Sequence, residues 1–170
     1  MFRLASLLVA AALVSTSLTG CGSTQTGVDA LDTTLNSNAQ RGFVITKSNQ
    51  SYRETLNALD QAIRSKGLRL FTRVSHSSNA AGASLDLGPT ELFLFGNPKV
   101  GTLLMQASRT VGLDLPQRML VWEDEHGVHI AHNDPTWLGS RHEFDHPALP
   151  KISGLLQALA TAAAGSLGID

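Results

Sequence analysis

One stretch, Glu91-Leu92-Phe93-Leu94-Phe95-Gly96-Asn97-Pro98-Lys99, constrains the fold of this 170-residue chain more than any other. Glu91 to Phe95 has the length of a strand. Its large apolar residues stand at successive positions, so both faces of that strand are apolar, and a central place covered on both sides is expected. Asn97 then supplies a side-chain oxygen for a free helical N–H, and Pro98 suits a first helical turn. A covered strand must therefore run straight into a helix, and the rest of the chain is arranged around that unit.

The flanking sequence supplies the other elements. Gly42 to Lys47 reads as a short strand. Ser51-Tyr52-Arg53-Glu54 has the form of a capping box, and Tyr52, Leu56, Leu59 and Ile63 follow on one helical face up to Lys66-Gly67, a C-terminal stop. Leu68 to Val74 is a second strand, and the small polar residues Ser75 to Gly88 form a loop or a short irregular helix. Leu103, Leu104, Ala107 and Val111 are the expected buried face of the Pro98 helix. Met119 to Glu123 and Val128 to Ala131 flank Asp124-Glu125-His126-Gly127, a hairpin signal. Asp134-Pro135 opens a short helix near Thr136 to His142. Ile152, Leu155, Leu156 and Leu159 mark a last amphipathic helix after Pro150. The order β-α-β-β-α-β-β-α-α predicts an α+β fold, an antiparallel sheet with helices packed on one face.

The N-terminus carries an address. Arg3 precedes a short apolar run from Leu4 to Leu13, and small residues lead to Cys21, the only cysteine; this is the order of a secretory signal. Leu18-Thr19-Gly20-Cys21 resembles a bacterial lipobox, in which the cysteine is lipidated and becomes the mature N-terminus. The division expected is a signal peptide over 1–20, lipidated Cys21 with a flexible tether to residue 40, and one domain over 41–170. The partner that follows is a bacterial membrane, held through lipid on Cys21. By the same resemblance, Gly22 points to the outer membrane facing the periplasm in a Gram-negative cell envelope. The alternative is an ordinary cleaved signal with an incidental cysteine. Without Arg3, the 13 basic residues become 12 against 14 acidic ones, a net charge of −2 with histidine neutral. So weak a balance gives no reason to expect nucleic acid.

Leu87-Gly88-Pro89-Thr90 leading into the Glu91 to Lys99 stretch, then Val100-Gly101-Thr102-Leu103-Leu104-Met105, resembles the DUF302 family. Leu113-Asp114-Leu115-Pro116, Asn133-Asp134-Pro135 and Arg141-His142 continue the likeness, which spans about residues 42 to 160. The resemblance implies a β-α-β(4)-α arrangement similar to the TATA-binding-protein-like fold, commonly as a homodimer. It implies no settled activity, and a fold of that name does not bring DNA binding with it. His76 falls where the family often has a histidine, and His132 where it often has tyrosine.

Three groups of residues are candidates for function. At Phe95 to Lys99 a strand ends against a helix N-terminus, where Asn97 and Lys99 can hold a small anion; the alternative is that Asn97 merely caps its helix. Arg141 and His142, with Asn133 and Asp134, offer a guanidinium clamp and a proton-exchanging imidazole. His76 and Glu91 lie near the second and third strands. The ligand-binding set is thus His76, Glu91, Asn97, Lys99, Asn133, Arg141 and His142, with His76, Asn97 and Arg141 expected in one cleft. The leading reading is a membrane-tethered binding or sensing module. An enzyme or metal-dependent redox accessory using His76, Glu91, Asn97, Arg141 and His142 is the alternative. His126, His129, His132, His142 and His146 crowd together, but HExxH, CxxC and a phosphate loop are all absent, so no metal or other cofactor is expected. If His129 and His132 share a strand, they face opposite sides.

Overall fold

The computed structural model describes residues 42–165. The stretches expected to be the signal peptide and the tether, with Cys21, lie outside the described residues. Five strands form one antiparallel sheet: β1 (Phe43–Ser48), β2 (Arg69–Ser75), β3 (Thr90–Gly96), β4 (Gln117–Asp124) and β5 (Gly127–Asn133), in the spatial order β1-β5-β4-β3-β2. Helix α1 (Tyr52–Ser65) follows β1, α2 (His76–Gly82) follows β2, and α3 (Pro98–Ala107) follows β3. A 3-10 turn over Arg109–Leu113 leads into β4, and α4 (Pro135–Arg141) and α5 (Ala148–Ala164) close the domain. This is the expected α+β fold, with the polar stretch after β2 forming the short helix α2.

Local chemistry accounts for the element ends. Ser51 and Glu54 form the reciprocal capping box at α1, and those bonds hold the Glu54 carboxyl below the ordinary carboxylate range. Asn97 caps α3 by accepting from the Lys99 backbone N–H at 3.0 Å, with Pro98 in the first turn. Asp134 does the same for α4. Gly67, at φ +66°, supplies the left-handed residue that ends α1. Glu125 and His126 are the two-residue hairpin between β4 and β5, whose last pair is Asp124 with Gly127.

The period of two along each strand divides the sheet into two unlike faces. Phe93 and Phe95 of β3, Met119 and Val121 of β4, and Val128 and Ile130 of β5 are buried on one face. That face joins Leu56, Leu59 and Ile63 of α1 and Ile152, Leu156 and Leu159 of α5 in a single core. The opposite face points away from α1 and α5. There a cross-strand row runs Ile45, Ala131, Leu120, Leu92, Val74, one from each strand in direct register.

Three sequence expectations need correction. The central strand is β4, and β3 lies between it and edge strand β2. Only Phe93 and Phe95 of β3 are buried; Leu92 and Leu94 are half-buried on the uncovered face. The doubly apolar pattern marks an uncovered apolar face, which a one-dimensional pattern cannot tell from a covered one. In α3 the helix ends at Ala107, Leu103 is 52% exposed, and Leu104 is the buried residue, while Val111 is buried from the 3-10 turn. Finally, α5 begins at Ala148, so Pro150 lies in its first turn, where a missing N–H costs nothing.

Candidate functional site

The sheet has two ends, and the candidate residues divide between them. Gly96, Gln117, Asn133, Phe43 and Arg69 mark one end; Ser75, Glu91, Asp124 and Gly127 mark the other. At the first end lies a cavity of about 530 Å³, between the ends of β2 and β3 and helices α3 and α5. Phe95, Leu104, Met105, Leu115, Ile152 and Leu156 are among its walls. Arg69, Asn97, Thr102 and Gln117 are its polar side chains, of which all but Gln117 are exposed. Glycines open it: Gly96, Gly101 and Gly112 line it, and a Cβ at Gly101 would meet nothing nearer than Leu115 Cδ1 at 3.8 Å. A bulge between Leu70 and Thr72 leaves Phe71 out of register and 42% exposed at this cavity, with the Arg69 guanidinium 5.0 Å from its ring centre. The size and apolar lining are those of a small-molecule site.

The sequence-predicted residues do not converge. Asn97 lines the cavity, and Lys99 lies in the first turn of α3 without lining it. Glu91 is paired with Arg73, and His76 follows Ser75, the register partner of Glu91. Five strand positions, about 17 Å at ~3.3 Å each, separate that pair from the Arg69–Gly96 pair. The single cleft expected for His76, Asn97 and Arg141 is therefore not formed. Asn133 pairs with Phe43 at the cavity's end of the sheet, and its carbonyl accepts from His132 Nδ1 at 2.8 Å.

Arg141 and His142 meet a residue the sequence reading did not single out. Asp114, buried after the 3-10 turn, lies 2.7 Å from His142 Nε2 and 3.3 Å from Arg141 Nη1. His142 Nδ1 lies 3.0 Å from Thr110 Oγ1. Arg141 also sits 5.3 Å from the ring centre of Trp137. Asp114 is 28 residues from His142 in sequence, so no local pattern could have linked them; the Leu113-Asp114-Leu115-Pro116 run was the one available signal.

The other histidines separate too. His129 and His132 do face opposite sides of β5: His129 stacks on Trp122 at 4.9 Å and contacts Asp124, whereas His132 is buried in the core face. His126 is a turn residue with its side chain 76% exposed. His146 Nδ1 accepts from the Ala148 N–H at the start of α5. Among the described residues, no three His, Cys, Asp or Glu side chains are grouped to hold a metal ion.

His132 Nε2 is buried without a hydrogen-bond partner, and burial pushes this imidazole below the ordinary histidine value. The unfolded chain therefore takes up the proton first. The His132 contribution is whole above about pH 6.5 and is lost as the pH falls below it toward the lower folded-state value. The expected result is a denaturation midpoint that falls between pH 7 and pH 5, with a shallower fall in His132→Phe. Equal slopes for the two proteins would exclude His132 as the cause.

A twisted antiparallel sheet backed on one face by two long helices, with an apolar cavity at one end, defines the class: a small α+β domain with a ligand-sized pocket. Residues 44–162 match the domain of unknown function DUF302, and the chain belongs to that family. The crystal structure of an uncharacterized conserved DUF302 protein from Bacillus stearothermophilus has the same fold. The likeness has a TM-score of 0.64 at 20% identity, covering 72% of this chain and 98% of that one. Two curated proteins named fluoride-specific ion channel FluC 1 are also similar. The one from Brucella suis biovar 1 (strain 1330) is 50% identical over 102 residues, 59% of this chain and 40% of its own length. The one from Brucella abortus biovar 1 (strain 9-941) shows the same identity over 38% of its length. The chain spans about two fifths of these relatives.

Proposed function

We propose that this protein is a membrane-tethered module that binds a small amphipathic molecule. Its apolar part occupies the cavity under α3 and its anionic head lies at Arg69 and Asn97. The observation that carries the reading is the apolar cavity of about 530 Å³ with its polar side chains few and an exposed guanidinium among them. Burial of the ligand's hydrocarbon supplies the affinity, at roughly 0.8 kcal/mol per CH₂. Asn97 spends its side-chain oxygen on the helix cap, leaving its amide nitrogen to donate.

Lipid on Cys21 places the module at the cell envelope, in the outer membrane facing the periplasm where the cell has two membranes. The likeness to part of the Brucella proteins supports a setting beside a membrane. No helix among the described residues is long and apolar enough to cross one, and we assign the shared stretch to a companion domain of those proteins. A second copy of the chain is the proposed protein partner. The row Ile45, Ala131, Leu120, Leu92, Val74 gives it an apolar face. On central strand β4, Arg118 and Asp124 stand at opposite ends of that face, so a two-fold axis brings each toward the other's counterpart.

Titration with a fluorescent long-chain carboxylate tests the ligand reading. Wild type is expected to bind it. Gly101→Leu, which fills the cavity without backbone strain, is expected to weaken binding at least about tenfold, and Arg69→Gln to weaken the carboxylate more than the matching alcohol. Equal binding by wild type and Gly101→Leu would refute the reading.

A further inference from the structure

The cluster around His142 has a geometry that holding two elements together does not require. Asp114 and His142 are both buried, at 6% and 9% exposure, and their side chains meet at 2.7 Å. A carboxylate only accepts, so it fixes the tautomer with the proton on His142 Nε2. Nδ1 is then the bare nitrogen, and it lies 3.0 Å from the hydroxyl of Thr110, an exposed residue. Ser108 braces the arrangement, donating to the His142 carbonyl at 3.1 Å with its hydroxyl also 3.1 Å from Thr110 Oγ1. Arg109 and Arg141, both exposed, stand beside the hydroxyl and the imidazole in sequence. The chain is thus carboxylate, imidazole, hydroxyl, in the order of an activated nucleophile.

We propose that Thr110 is a nucleophile activated by His142 and oriented by Asp114, and that it reacts with small activated carboxylic esters. Thr110 Oγ1 attacks the ester carbonyl carbon as its proton passes to His142 Nδ1. The C–O bond to the leaving group breaks, the departing alkoxide takes that proton, and the acyl group is left on Thr110. Water then gives a proton to the same nitrogen and attacks the threonyl ester, releasing the carboxylic acid and restoring the hydroxyl. Thr110 is the catalytic residue and His142 the base; Asp114 is a positioning residue. The site does not line the cavity, so it stands or falls apart from the ligand-binding reading.

The experiment is p-nitrophenyl acetate hydrolysis by the full chain, with the acetylated residue located by mass spectrometry. A burst of p-nitrophenolate and a single acetyl group on Thr110 are expected. Thr110→Ser keeps the burst and Thr110→Val abolishes it. His142→Asn slows acetylation about 100-fold or more, and Asp114→Asn slows it as well. A purely structural cluster predicts otherwise: the His142 and Asp114 variants melt earlier, while acetylation is absent or falls on lysines at one rate in every variant. That result overturns the proposal, as does a Thr110→Val protein that is acetylated as fast as wild type.

Discussion

Phe93→Ala is expected to destabilise the domain by about 3–5 kcal/mol, the range for removing a buried aromatic ring from a packed core. Phe93 is fully buried, pairs with Met119 on β4 and Arg73 on β2, and lies 4.5 Å below the Arg73 guanidinium. Deleting the ring leaves a void between the sheet and its helices. It also strips the platform from Arg73, which pairs with Glu91. Leu94→Ala, one position along on the uncovered face, should cost much less, about 1 kcal/mol. Chemical denaturation of both variants beside wild type checks the assignment of faces. An equal loss for the two would mean that both faces of β3 are covered in solution, as they are when two copies pack through the sheet.

Cys21→Ser is expected to move the whole of the protein from the membrane to the soluble exported fraction without altering the folded domain. Among the described residues the hydrophobic core is built from positions between 56 and 164, and the expected result is an unchanged melting profile for the soluble variant. Two or more acyl chains hold a protein firmly at a bilayer, whereas the polar stretch after Cys21 offers no apolar face to replace them. Fractionation and intact mass together decide the point. A variant that stays with the membrane, at the wild-type mass less only the cysteine-to-serine difference, would refute lipidation.

Local chemistry was legible in the sequence because its causes are local. The Ser51–Glu54 box, the Asn97 and Asp134 caps and the hairpin at Glu125-His126 each depend on residues within a few positions, and all stand where the spacing puts them. The opposite orientations of His129 and His132 follow from the strand period alone. What the sequence could not convey was which apolar face receives the helices. Leu92 and Phe93 are equally apolar, and only the placement of α1 and α5 buries one and leaves the other half-open. The site was less legible for a related reason. Asn97 was visible as a helix start, but the cavity beside it is made by Leu68, Leu104, Leu115 and Ile152, ordinary apolar residues far apart in the chain. Asp114 was likewise hidden, since its value comes from meeting His142 across two elements.

An amphipathic ligand in the cavity under α3, as proposed above, would touch the backbone of the glycines that line it. Backbone amide shifts of the full chain, followed while dodecanoate is added, test this proposal most directly. Saturable changes are expected at Gly96, Gly101, Gly112 and Leu155, which line the cavity, with little at His76 and Glu91 at the far end of the sheet. The absence of saturable change, or changes centred on His76 and Glu91, would contradict it.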